Sequence, residues 1–189
     1  AMSATLDTGR FAALLGGAPV IESAGRMHAV ETRWLDAPWS GPRGSRFEDA
    51  AAGLAARALA EAEGVALVFL PGAGEINRVA ERLSARLDGV AVMPLHGSLP
   101  FERQRAALRA DPAGRRRVVL ATAIAETSLT VEGVRIVVDA GRARRARVHP
   151  ATGMSRLVTL PVSRAEAEQR RGRAGRTAPG VCYRMWTKG

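Results

Sequence analysis

The run Val65-Ala66-Leu67-Val68-Phe69-Leu70 constrains this chain more than any other stretch. Six apolar residues without a polar interruption suit a strand covered on both faces, as in a parallel sheet, rather than one with a face in water. Gly64 precedes the run and Pro71-Gly72 follows it. Ile76, Val79, Ala80, Leu83 and Leu87 then recur at helical spacing, ending before Gly89. Residues 90–95 read as the next strand, 100–109 as a helix, and 118–121 and 136–139 as two more strands. Upstream, 27–35 alternates in strand fashion. A helix with Phe47, Ala51, Leu54, Ala58 and Leu59 on one side follows from a capping pattern, Ser45-x-x-Glu48. Strands alternating with helices predict an α/β fold with a parallel sheet, right-handed crossovers and helices on both faces. Before all this, Phe11, Leu14 and Leu15 mark a helix-like stretch ending at Gly16-Gly17, and 20–22 reads as a short strand.

The alternation breaks at 144–160. Strand-like pieces around 145–148 and 156–160 flank Pro150-Ala151-Thr152-Gly153, which predicts a β-hairpin. Next, Ser163-x-x-Glu166 opens a helix that carries Glu168-Gln169-Arg170-Arg171-Gly172-Arg173-Ala174-Gly175-Arg176. On an unbroken helix Gln169, Arg173 and Arg176 fall at i, i+4 and i+7, sharing one face. Gly172 and Gly175 each cost a helix about 1 kcal/mol relative to alanine, so another backbone or a ligand is expected to come close. One amide and two forked guanidiniums on a face suit an anion with several oxygens, such as a triphosphate. A basic helix end resting on nucleic-acid phosphate is the alternative.

The formal charge of +10 is unevenly spread: residues 140–176 hold ten arginines against Glu166 and Glu168. Such a patch points to a phosphate-rich partner. Three strand-to-helix turns supply further anion contacts, at Gly72, at His96 and Ser98, and at Thr122. With Arg144, Arg145 and Arg147 they form the expected nucleic-acid track. Asn77 spoils a G-x-G-x-x-G reading of the first turn. His28, His96 and His149 stand apart without companion cysteines, so no metal site is expected. A lone Cys182 fits a reduced, cytoplasmic setting, and no apolar run or leader-like segment suggests a membrane.

The string at 169–176 resembles the last conserved motif of superfamily-2 helicases in its DEAH-box form, Q-R-x-G-R-A-G-R. Ala121-Thr122-Ala123-Ile124-Ala125-Glu126-Thr127-Ser128-Leu129-Thr130-Val131-Glu132-Gly133 is similar to that group's preceding motif, and Met2-Ser3-Ala4-Thr5-Leu6-Asp7 to the S-A-T motif that closes its first motor domain. The resemblance implies a RecA-like sheet, with 1–23 as the tail of a first domain and 24–189 as the second. It implies a motor that uses ATP or another NTP with Mg²⁺, bound mainly by the first domain. Its implied partners are single-stranded RNA or DNA, and the first and C-terminal accessory domains of the same polypeptide. Thr130 and Glu132 would lie near ribose and phosphates, Gln169 would orient the attacking water, and Arg173 and Arg176 would act as arginine fingers. Ser3 and Thr5 would couple the domains, and the hairpin would part or guide strands. Ala123 replaces the group's usual asparagine, and Leu108 stands where several relatives carry an aromatic ring. Lys188 is the only lysine, so no G-x-x-x-x-G-K-[ST] loop exists, and no D-E-x-H string occurs. The chain alone is expected not to hydrolyse ATP. Two readings compete: a free-standing basic α/β module that grips RNA without catalysis, and a DNA translocase.

Overall fold

The computed structural model describes residues 8–20, 27–39, 46–127, 129–148 and 153–188. Elements run α1 (Thr8–Leu14), β1 (Val30–Arg33), α2 (Phe47–Glu61), β2 (Val65–Phe69), α3 (Ala73–Ser84), β3 (Val90–Leu95), α4 (Phe101–Leu108), β4 (Arg116–Ala121), α5 (Ile124–Thr127) and β5 (Val134–Asp139). The hairpin strands β6 (Arg142–Val148) and β7 (Ser155–Pro161) come next, then α6 (Arg164–Gly172), a 3₁₀ turn (Arg173–Gly175) and β8 (Gly180–Arg184).

Six strands make one sheet in the order β1-β8-β5-β2-β4-β3, parallel throughout. β2 sits inside it between β5 and β4, as its unbroken apolar run requires. The two-residue side-chain period then divides the run between two cores. Ala66, Val68 and Leu70 pack with Ala51, Ala55, Leu59, Ile76, Val79 and Leu83 of α2 and α3. Leu67 and Phe69 pack on the other face with Ala107 of α4, Ala125 of α5 and Ala174 of the 3₁₀ turn. The expected parallel α/β sheet with helices on both faces is the fold observed.

Several local expectations change. Helix α2 starts at Phe47 with Arg46 as N-cap, and the Arg46 N–H donates to Asp49 Oδ2 at 3.3 Å. Glu48 instead turns inward and pairs with Arg78 at 2.7 Å, so the capping carboxylate lies one residue further on than the pattern suggested. Ser45 lies outside the described residues, as do Ile21 and Glu22 of the expected short strand and the hairpin turn 149–152. The hairpin forms as a separate antiparallel pair, with Arg142 opposite Pro161 and Val148 opposite Ser155. The helix expected to run through 176 stops at Gly172 and tightens into the 3₁₀ turn. Short 3₁₀ turns are common at α-helix ends.

Candidate functional site

A parallel sheet gives its two edges different chemistry. At the carboxyl edge, the neighbouring strands β2, β4 and β3 end at Gly72, Thr122 and His96, so the three turns named from sequence lie side by side. The Thr122 N–H donates to the Leu95 carbonyl at 3.3 Å, tying two of them together. His96 is largely buried, with Nδ1 2.8 Å from the exposed Ser98 hydroxyl. Gly72 caps α3, and Arg144 of β6 lies over it: a Cβ there would stand 2.6 Å from Arg144 Nη1. Arg144 also pairs with Glu75 at 3.0 Å, and Arg145 pairs with Glu166 of α6. Two of the three hairpin arginines expected to bind nucleic acid, Arg144 and Arg145, therefore have carboxylate partners.

Arg147 differs. It stands directly opposite Arg156 in the hairpin register, and neither is paired with a carboxylate among the described residues. Like charges across a strand pair repel. Sequence reading omitted Arg156, although its place on the second arm opposite Arg147 could have been counted from the turn.

At the amino edge, the loop 129–133 enters β5 and the segment 173–177 enters β8. These strands are neighbours, so two motifs separated by some forty residues of chain meet there. Thr130, Glu132, Arg173 and Arg176 line one cavity of about 150 Å³. Arg176 is exposed and donates from Nη1 to the Thr130 hydroxyl at 3.0 Å. Arg173 is 4% exposed and gives its guanidinium to the carbonyls of Leu129, at 3.0 Å, and Glu126. Burial, then the nearby Arg176 charge, push it down to about 10. Glu132 accepts the Ala110 N–H at 3.1 Å, and its own N–H donates to the Leu108 carbonyl. Gln169, half-buried on α6, does not line this cavity. The break after Gly172 explains this, because tightening the turn rotates Arg173 and Arg176 away from the face that an unbroken helix would give them.

Of the two motif glycines, Gly172 meets only the end of the Met27 side chain, whereas Gly175 meets backbone at very short range. A Cβ on Gly175 would stand 2.6 Å from the His28 carbonyl and 2.7 Å from Val30 Cγ2, while the His28 N–H donates to the Gly175 carbonyl at 2.8 Å. The close approach is made by the chain entering β1.

The residue that sequence reading missed altogether is Arg170, fully buried between two carboxylates. Nη1 donates to Asp139 Oδ1 at 2.7 Å, Nε donates to Glu126 Oε1 at 2.6 Å, and the guanidinium lies 4.9 Å from the Phe69 ring. Burial works against the charge on Arg170, but Asp139 and Glu126 together hold its pKa above the ordinary value. Burial pulls the Asp139 carboxyl upward, against the neighbouring Arg170 charge that favours its ionised form. Within the motif, a buried arginine leaves a trace in the string only as one more basic residue.

The model for the helicase conserved C-terminal domain matches residues 51–178, which include four of the six sheet strands, all but β1 and β8. The chain belongs to this helicase C-terminal domain family. It is 48% identical over 188 residues to the ATP-dependent RNA helicase HrpB of Escherichia coli K12, and 39% identical over 194 residues to the pre-mRNA-splicing factor ATP-dependent RNA helicase prp22 of Schizosaccharomyces pombe. These alignments take in 99% and 98% of the chain but 23% and 16% of those relatives, so the chain spans less than a quarter of their length. Two crystal structures, of the E. coli DExH-box NTPase HrpB and of the Escherichia coli DEAH/RHA helicase HrpB, superpose on the fold with TM-scores of 0.86 and 0.88 at 48% identity. Each covers 99% of this chain, which in turn covers 23% and 24% of those structures. Among the described residues no helix is long and apolar enough to cross a membrane, and no cluster of three His, Cys, Asp or Glu could hold a metal.

Proposed function

We propose that this helicase C-terminal domain is the second motor domain of an NTP-dependent RNA or DNA helicase, with residues 1–23 as the tail of the first. The observation that carries this reading is the meeting of Thr130, Glu132, Arg173 and Arg176 around one small cavity at the amino edge. Its 150 Å³ is well below the roughly 300–1,000 Å³ of a pocket that encloses a whole small molecule. Half a site is what a domain needs when its partner holds the rest of the nucleotide. The donor set fits phosphate oxygens: an exposed fork, Arg176, and a hydroxyl, Thr130, with the charge of Arg173 close behind. Glu132 is a hydroxyl acceptor and suits a ribose. ATP, with Mg²⁺ held by the other domain's residues, would supply the scissile phosphoanhydride. The chain's own share is to place Arg176 where negative charge develops, with Gln169 orienting the attacking water. Ser3 and Thr5, outside the described residues, would join the two domains mechanically.

At the opposite edge Gly72, Thr122, His96 and Ser98 form the backbone track for a single strand, and the hairpin stands beside it. Arg147 and Arg156 support an anionic partner there, because only a third, negative group relieves their repulsion. RNA and DNA share that backbone chemistry, and competition between matched oligonucleotides distinguishes them.

The test is steady-state ATPase in the full-length polypeptide with saturating single-stranded RNA. Arginine fingers are worth about 10³–10⁵ in kcat, so Arg176→Ala should collapse turnover while changing nucleotide affinity far less. Arg176→Lys should rescue little, since a point charge lacks the planar fork. Arg164→Ala, at the first turn of α6, should leave turnover near the parent's. Normal turnover in Arg176→Ala would remove this assignment.

A further inference from the structure

Helix α6 runs from one edge of the sheet to the other. Its first turn adjoins the hairpin: Glu166 pairs with Arg145, and the preceding Val162 N–H donates to the Gly141 carbonyl at 3.0 Å. Its last turn leads into Arg173 and Arg176. Nine residues at about 1.5 Å each, with the 3₁₀ turn beyond, cover much of the roughly 20 Å between the edges. A rod alone does not report one end to the other unless something fixes both ends to it. Arg170 does so. On the hairpin side, Asp139 takes Arg170 Nη1 on the oxygen that also accepts the Gly141 N–H at 2.9 Å. On the nucleotide side, Glu126 takes Nε, and the carbonyl of the same Glu126 holds Arg173.

Resting on the motor reading above, we propose that Arg170 is a positioning residue that couples the two edges. It locks the root of the hairpin and the loop that carries Thr130 to the same guanidinium, so that nucleic acid at one edge sets the arginines at the other. Two features favour this over a purely structural pair. Both carboxylates belong to segments that lead directly into functional loops, Asp139 into the hairpin and Glu126 into 127–133. The second Asp139 oxygen, Oδ2, is buried with no hydrogen-bond partner among the described residues, so the network has a vacant acceptor onto which it can re-pair when the root moves.

The test uses the full-length polypeptide, ATP and a single-stranded oligouridine RNA. Glu126→Ala cuts the loop arm while leaving the Arg170–Asp139 pair intact, and so avoids stranding a buried charge. Arg170→Met removes both arms, with its thermal midpoint followed alongside. Coupling between sites is typically worth about 5–150-fold. The ratio of RNA-stimulated to unstimulated turnover should therefore fall about tenfold in both variants, and Glu126→Gln, which keeps an oxygen for Arg170 Nε, should recover most of it. The change that a non-hydrolysable ATP analogue makes in RNA affinity should also shrink, and by reciprocity the change that RNA makes in analogue affinity should shrink by that same factor. Leu83→Ala, buried in the core on the opposite face of the sheet, should lower the thermal midpoint and leave the ratio alone. A stimulated parent whose Glu126→Ala variant keeps the parent's ratio overturns this inference and leaves the motor reading standing. A parent whose hydrolysis does not respond to RNA or to single-stranded DNA overturns the motor reading, and this inference with it.

Discussion

Two glycines three residues apart in one motif should respond to alanine with opposite signs. Helix propensity alone would favour both changes, each by about 0.5–1 kcal/mol. The surroundings separate them. At Gly172 the backbone is helical, with φ −58° and ψ −19°, and a Cβ meets only Met27 Cε at 3.2 Å, the free end of a flexible side chain. Gly172→Ala should therefore stabilise the chain by about 0.4–1 kcal/mol, chiefly by restricting the unfolded state. At Gly175 a Cβ would stand 2.6 Å from the His28 carbonyl oxygen and 2.7 Å from Val30 Cγ2, well inside the roughly 3.5–4.0 Å at which carbon contacts are best. Neither obstacle yields easily. Val30 begins an edge strand registered against Gly180, and the His28 N–H donates to the Gly175 carbonyl at 2.8 Å. Moving this segment away loses that bond, worth about 1 kcal/mol, on top of overpacking at about 1–3 kcal/mol. The net expectation is a loss of about 2–3 kcal/mol. For a chain of this size that lowers the melting temperature by about 4–12 °C, against a rise of about 1–4 °C for Gly172→Ala. Thermal unfolding followed by circular dichroism, with urea titration as a check, reads both. Equal shifts of the same sign would refute the claim that β1, and no demand of the helix, keeps residue 175 bare.

The remaining expectations concern the hairpin and the buried thiol. Because Arg144 and Arg145 are engaged with Glu75 and Glu166, the double variant Arg147→Ala/Arg156→Ala should cost more in RNA binding than Arg144→Ala/Arg145→Ala. It should flatten the dependence of log Kd on log salt by about 0.7 per lost phosphate contact; an unchanged slope would exclude the hairpin from the footprint. Burial, reinforced by the Asp139 charge, pushes the Cys182 thiol up to about 12, leaving about one thiolate in 10⁴ at pH 8. Alkylation by iodoacetamide should therefore wait on unfolding, and prompt labelling of the native chain would contradict its placement. Since the folded value lies above the unfolded one of about 8.5, this thiol's contribution to stability is complete below that pH and is lost as pH rises toward 12.

The sheet could be read from the string because burial on two faces leaves no freedom in what a strand displays. The run at 65–70 has no polar residue, and the structure divides it between two cores without exception. Helix α3 could be read for a related reason, since Ile76, Val79 and Leu83 fall at helical spacing and all three are fully buried. Helix ends were harder to place. The cap of α2 shifted by one residue because Glu48 and Asp49 are both acidic, and only packing against Arg78 decides which turns inward. Helix α5, four residues long, is too short to show a period at all.

Thr130, Glu132, Arg173 and Arg176, named from sequence, meet at one cavity, but their arrangement and the absence of Gln169 from it were not legible. Spacing on an unbroken helix put Gln169, Arg173 and Arg176 on one face, and residue type singled them out as phosphate binders. What spacing could not show is that Ala174 and Gly175 must tuck under β1 and β8. A Cβ on Gly175 would strike the chain entering β1, and one on Gly180 would stand 2.3 Å from the Ala174 carbonyl. That crowding draws the chain into a 3₁₀ turn, sends Arg173 inward to the Glu126 and Leu129 carbonyls, and leaves Arg176 alone at the surface beside Thr130. The same crowding explains why an arginine hidden in the motif escaped notice. In sequence Arg170 and Arg171 are interchangeable neighbours, yet one is fully buried between Asp139 and Glu126 while the other reaches Glu168 at the surface. Only the position of the sheet decides between them. A guanidinium charged at every working pH, held between carboxylates that lead to opposite edges, is a costly element to bury for stability alone. Apolar residues of similar volume often serve a core as well or better. The added use that such a pair offers is to make two distant loops depend on one another.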